Sequence, residues 1–120
     1  MKVFNEDALF AAHESFKLAD FSDALMYYKQ GLDDDPGNPS ILINIGFVYY
    51  FMYDFKQAKD YFIQALHVNE ENQIAWFGLY IAAKRLGDKS LIQTALLRVH
   101  QINDLPFDLL ISNIETFYEN

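Results

Sequence analysis

Apolar residues return along this chain every three or four positions, which is the period of a helix face and not of a strand. In the stretch opened by Pro39, the residues Leu42, Ile45, Gly46 and Tyr49 fall on one stripe at i, i+3, i+4 and i+7. Polar and turn-forming residues break the pattern at regular intervals. Asn5, Asn38 and Asn72 stand where helix N-caps are needed, Pro39 lies just inside the helix that Asn38 opens, and Gly87 closes another. The pattern predicts helices over 5–18, 22–34, 39–52, 55–68, 73–86 and 89–102, joined by short turns and with no strand. After Pro106 a further helix is predicted over 107–118, with Leu110, Ile114 and Phe117 along one side.

The stretches repeat one another. Shifting the sequence by 34 residues brings Leu42, Ile45, Gly46 and Tyr49 over Trp76, Leu79, Tyr80 and Ala83, and back over Ala8, Ala11, Ala12 and Ser15. The same shift aligns Ala24 and Tyr28 with Ala58 and Phe62, and Asp20 with Asp54 and Asp88. Small residues such as Ala12, Ala24, Gly46 and Ala58 let two antiparallel helices approach closely, and Tyr28 and Phe62 fill the space beside them. One unit is therefore a helical hairpin.

These spacings resemble the tetratricopeptide repeat family, whose pattern is Trp-x2-Leu-Gly-x2-Tyr, then Ala-x3-Phe, then Pro, over 34 residues. The middle unit matches through Leu42, Ile45, Gly46, Tyr49, Ala58, Phe62 and Ala65, with Glu70 where proline is expected. The first unit matches through Ala24, Tyr28 and Pro36, and the third through Trp76 and Leu79. The resemblance implies an all-α solenoid of antiparallel helical hairpins with about seven helices. It divides a single domain, 1–120, into repeats over 5–38, 39–72 and 73–106, and the helix over 107–118 is expected to cap the array.

Composition narrows the function. With 120 residues, 52% of them hydrophobic, the chain suits one compact unit and not two cores. Cysteine is absent, which excludes disulfides and thiolate metal sites and leads us to expect a reducing, cytoplasmic setting. A formal charge of −8 with only nine Lys and Arg argues against nucleic acid as a partner. The run Asp33, Asp34, Asp35 reads as a solvated turn. Met1 to Asp7 becomes acidic before any apolar stretch, so no secretory signal is expected and the mature chain is expected to start there. The longest apolar run, Ile41 to Tyr53, is broken by Asn44 and Gly46 and falls short of the ~20 residues a membrane span needs.

Nothing in the sequence assembles a reaction centre. His13, His67 and His100 lie on three different predicted helices, so no metal site is expected. The five glycines are scattered and form no phosphate loop. No catalytic residue and no cofactor are assigned, and the chain is not expected to be an enzyme.

The resemblance implies that the first helix of each hairpin lines a concave groove. Residues off the packing stripe are then Leu9, Phe10, His13 and Phe16 on the first such helix, Ile43, Asn44, Phe47, Tyr50 and Phe51 on the second, and Phe77, Ile81, Lys84 and Arg85 on the third. So apolar a surface marks a contact site. The expected role is a protein-interaction module, adaptor, assembly factor or chaperone-like, that holds an apolar peptide or helical segment of another protein. A self-associating module, a homodimer included, is the alternative, and the chain's own termini are a third occupant. One use of the family is a clamp for acidic tails of heat-shock chaperones. Asn44 matches that clamp, but Leu9, His13, Ile74 and Gly78 stand at its other places, so its cations are missing. In size, charge and groove character the chain also looks like the small acidic chaperones of type III secretion translocators.

Overall fold

In the computed structural model, residues 3–102 are described. They form six helices in order: α1 (Val3–Lys17), α2 (Phe21–Asp34), α3 (Pro39–Phe51), α4 (Phe55–Val68), α5 (Gln73–Leu86) and α6 (Lys89–Ile102). Consecutive helices pack as the hairpins α1/α2, α3/α4 and α5/α6, and α2 against α3 and α4 against α5 join the hairpins into one array. Among the described residues there is no strand. The helix expected over 107–118 lies outside them.

The punctuation explains the boundaries. Asn38 accepts hydrogen bonds from the Ser40 and Ile41 amides at 2.9 and 3.2 Å, and Asn72 accepts one from Ala75 at 3.0 Å. Both satisfy donors that a helix start leaves without partners. The first helix begins at Val3, ahead of the start expected at Asn5. The second helix of every hairpin starts on an aspartate. The carboxylates of Asp20, Asp54 and Asp88 accept from the amides of Asp23, Gln57 and Leu91 at 3.4, 3.2 and 3.1 Å. The residue before each is left-handed: Ala19, Tyr53 and Gly87 have φ of 59°, 63° and 72°. The amides of Asp20, Asp54 and Asp88 then reach back to the carbonyls of Ser15, Tyr49 and Ala83 at 2.8, 2.9 and 3.1 Å. Each first helix is thereby closed by a bond spanning its last turn.

The core runs through the array along the repeated positions. Ala24, Tyr28, Ala58, Phe62 and Ala95 are fully buried, so small and large side chains alternate where helices meet. Phe62 of α4 is central. A Cβ added to Gly46 of α3 would lie 2.7 Å from its ring, and one added to Gly78 of α5 would collide with the same ring. Two glycines on two helices thus make the slot for one phenyl group. The turn between α4 and α5, where the repeat pattern expects proline, is tied differently. The carbonyl of Glu70 accepts the Trp76 indole N–H at 2.6 Å and Arg98 Nη2 at 3.1 Å.

Candidate functional site

The first helices of the hairpins, α1, α3 and α5, carry the residues expected to form the groove, and the structure divides them into three groups. Phe10 is exposed at 69%, and Leu9, Asn44, Tyr50, Phe51 and Ile81 are half-buried. His13, Lys84 and Arg85 are exposed. Phe16, Ile43, Phe47 and Phe77 are buried.

These last four correct the expectation that they stand off the packing stripe. Phe47 meets Phe62 edge-on with centroids 5.0 Å apart, Phe16 packs between Phe21 and Phe51, and Ile43 belongs to the same core. Phe77 packs with Val99 of α6. Gly78, which stands at one of the clamp places, faces Phe62. The physical reason is position. Helix α3 touches α2, α4 and α5, so a helix that is apolar nearly all round is buried nearly all round.

Asn44 stands out on that helix. It is half-buried among Ile41, Leu42, Ile43, Ile45 and Phe47, and its amide makes no hydrogen bond among the described residues. Phe10 of α1 and Ile74 of α5 are exposed at 69% and 50%.

His13 has a different role from a groove contact alone. Its Nδ1 lies 2.5 Å from the hydroxyl of the fully buried Tyr28, which donates when Nδ1 is the acceptor. Partial burial holds the His13 pKa below its ordinary value, Lys17 acts in the same direction and Glu14 opposes it. Burial pushes the Tyr28 phenol well above its ordinary range.

A row of aromatic rings occupies the end of the array where the hairpins turn. Phe16, Phe21, Phe51, Tyr50, Phe55 and Tyr53 follow one another with centroid separations between 5.2 and 6.4 Å. Arg85 reaches this row from α5. Its Nε donates to the Tyr50 hydroxyl at 3.2 Å, and its guanidinium lies 5.2 Å from the Phe55 centroid and 5.7 Å from that of Tyr50. Sequence reasoning placed Tyr50 and Arg85 in the groove and did not single out Tyr53 or Phe55. The signal was present in the alignment of Tyr53 with Ala19 and Gly87 at the 34-residue shift.

These side chains offer ring faces, amide hydrogen bonds and a guanidinium, which is the chemistry of holding a segment of chain. Among the described residues no three His, Asp or Glu converge as metal ligands, and no helix is long and apolar enough to cross a membrane.

No family model matches the sequence. Solved structures show that the fold is that of tetratricopeptide repeat domains. The first such domain of Spaghetti (RPAP3), bound to the HSP90 peptide SRMEEVD, superposes with a TM-score of 0.84 at 19% identity, covering 98% of this chain and 92% of that one. The Sgt2 domain from Aspergillus fumigatus gives 0.82 at 20% identity, over 94% of this chain and 76% of that one. The TPR2B domain of yeast Sti1, in complex with pHsp70, gives 0.80 at 15% identity, over 97% and 94%.

Proposed function

We propose that this chain is a protein-interaction module that holds a segment of a partner protein against the concave side of α1, α3 and α5. The observation that carries the reading is Asn44. A side-chain amide that is half-buried in an apolar helix, yet bonded to nothing in the described residues, is placed to bond the main chain of an incoming segment. Exposed Phe10 of α1 and Ile74 of α5 supply apolar contact. The likeness to a domain solved with a bound HSP90 peptide, and to one solved as a pHsp70 complex, supports an interaction role.

The partner is not an acidic tail held at the clamp positions. Leu9, His13, Ile74 and Gly78 occupy the places where clamp cations and amides stand in that use of the fold, and they cannot neutralise paired carboxylates. The segment is held mainly by apolar anchors. Capture of the partner from a native extract by the parent chain, by Asn44→Ala and by Phe10→Ser tests this. Both variants should melt like the parent and lose the partner that the parent retains. If they retain it, the groove reading is wrong. If the parent instead binds only a second copy, light scattering reports a dimer and the module is self-associating.

A further inference from the structure

We infer that the hairpin-turn end of α3/α4 and α5 forms a separate contact point for a carboxylate with a neighbouring apolar or aromatic side chain on a partner segment. Arg85 takes the carboxylate and Tyr53 takes the ring. The inference rests on the reading that this chain captures a protein segment, and adds the chemistry of one part of that segment.

Arg85 is already held in place. One N–H is used by Tyr50, and two ring faces on α3 and α4 support the planar guanidinium. Among the described residues its two Nη groups have no acceptor and no carboxylate is within ion-pair distance. Among the described residues Lys17 alone is in an ion pair, and Arg85 differs from Arg98, whose Nη2 is taken by the Glu70 carbonyl. The nearest aspartate in the turn, Asp54, spends its carboxylate on the Gln57 amide. Complementing the C-terminus of α5 accounts for a positive charge there. It does not account for a guanidinium that crosses to rings on two other helices. An arginine fixed by stacking loses little freedom when it binds a carboxylate bidentately.

Tyr53 is the second observation. It is 76% exposed, and its φ of 63° is one that a bulky residue adopts only against steric resistance. The equivalent turns use Ala19 and Gly87. Its ring makes an edge contact with Phe55, 6.0 Å between centroids, and otherwise faces water beside Arg85's support. A strained, exposed aromatic next to an unpaired guanidinium is a recognition pair for a segment with an acid and a ring in sequence. On a chain of net charge −8, an acidic segment also needs a local cation to approach, and Arg85 provides it.

The chain contains two arginines, Arg85 and Arg98, so their Nε–Hε resonances form an internal comparison. The 15N-labelled protein is titrated with acetyl-Phe-Asp-Leu-amide and, separately, with acetyl-Phe-Asn-Leu-amide, the peaks being assigned with Arg98→Lys. The Arg85 peak should move with the Asp peptide and not with the Asn peptide, while Arg98 stays. Tyr53→Gly should weaken that response several-fold with an unchanged or higher melting temperature. Equal responses to the two peptides, equal movement of both arginines, or no movement at millimolar peptide would overturn the Arg85 assignment. An unaltered response in Tyr53→Gly would remove the tyrosine from the site. The groove variants Asn44→Ala and Phe10→Ser should bind the Asp peptide as the parent does, so failure of the groove reading and failure of this one are separable.

Discussion

Phe62 of α4 occupies the space that Gly46 of α3 leaves open, so closely that a single added carbon at Gly46 would stand 2.7 Å from the ring. The fully buried ring cannot withdraw, because Gly78 of α5 closes the slot from the other side. Gly46→Leu should therefore overpack the junction of three helices and cost about 1–3 kcal/mol or more. Ala58→Leu, at a site with no exposed surface, should cost a similar amount. Thermal melts of both variants check this, and parental melting would show that the helices do not meet as described.

Phe47 and Phe10, one turn apart in the repeat and both expected in the groove, should behave oppositely. Phe47 is 6% exposed and packs on Phe62, so Phe47→Ala should cost about 3–5 kcal/mol. Phe10 is 69% exposed, and Phe10→Ala should stay within about 0.5 kcal/mol of the parent. Urea unfolding of the pair distinguishes core from surface directly.

Stability should fall on both sides of neutral pH through the His13 and Tyr28 pair. The folded state holds the His13 pKa below its ordinary 6.5, so it binds that proton less readily than the unfolded chain does. The contribution is complete above 6.5 and is lost as pH falls through it toward the folded value. Tyr28 is shifted upward from 10.0, so its contribution is complete below 10 and is lost as pH rises above it. Urea midpoints measured against pH should show both limbs. His13→Phe should flatten the acid limb, and an unchanged acid limb would assign it to other groups.

The capping aspartates should each matter by themselves. Asp54→Ala and Asp88→Ala remove the acceptors for the Gln57 and Leu91 amides and should each cost about 1 kcal/mol. Asp54→Asn and Asp88→Asn should recover most of the loss, because an amide oxygen still accepts. Denaturant melts of the four variants provide the comparison.

The fold was legible because its signals are local and repeated. Asn38 and Asn72 set boundaries by accepting nearby amides, Pro39 by its fixed φ and Gly87 by its left-handed φ, and Ala24, Tyr28, Ala58 and Phe62 showed the hairpin packing by their spacing. The groove was less legible. A helical period identifies one buried stripe, but it does not say how many neighbours a helix has. Helix α3 packs against α2, α4 and α5, so Ile43 and Phe47 pack inward from a side that an end helix such as α1 leaves to solvent at Phe10. The all-round apolar character of residues 41–51 was the available sign of this. The reach of Arg85 to Tyr50 and Phe55 joins residues far apart in sequence and left no periodic trace.

Each hairpin turn carries its own left-handed residue and its own capping carboxylate, so every helix pair holds a complete local instruction for closing. Cooperativity must then come from the interfaces between pairs, and the array should open in steps. The hairpin α3/α4 is flanked on both sides and α1/α2 on one, so loosening should travel inward from an end and not begin at the centre. Amide protons of α3 and α4 should accordingly exchange with solvent last, with α1 yielding well before them. A module that opens this way can loosen its end helix to admit a segment while its central slot around Phe62 remains shut.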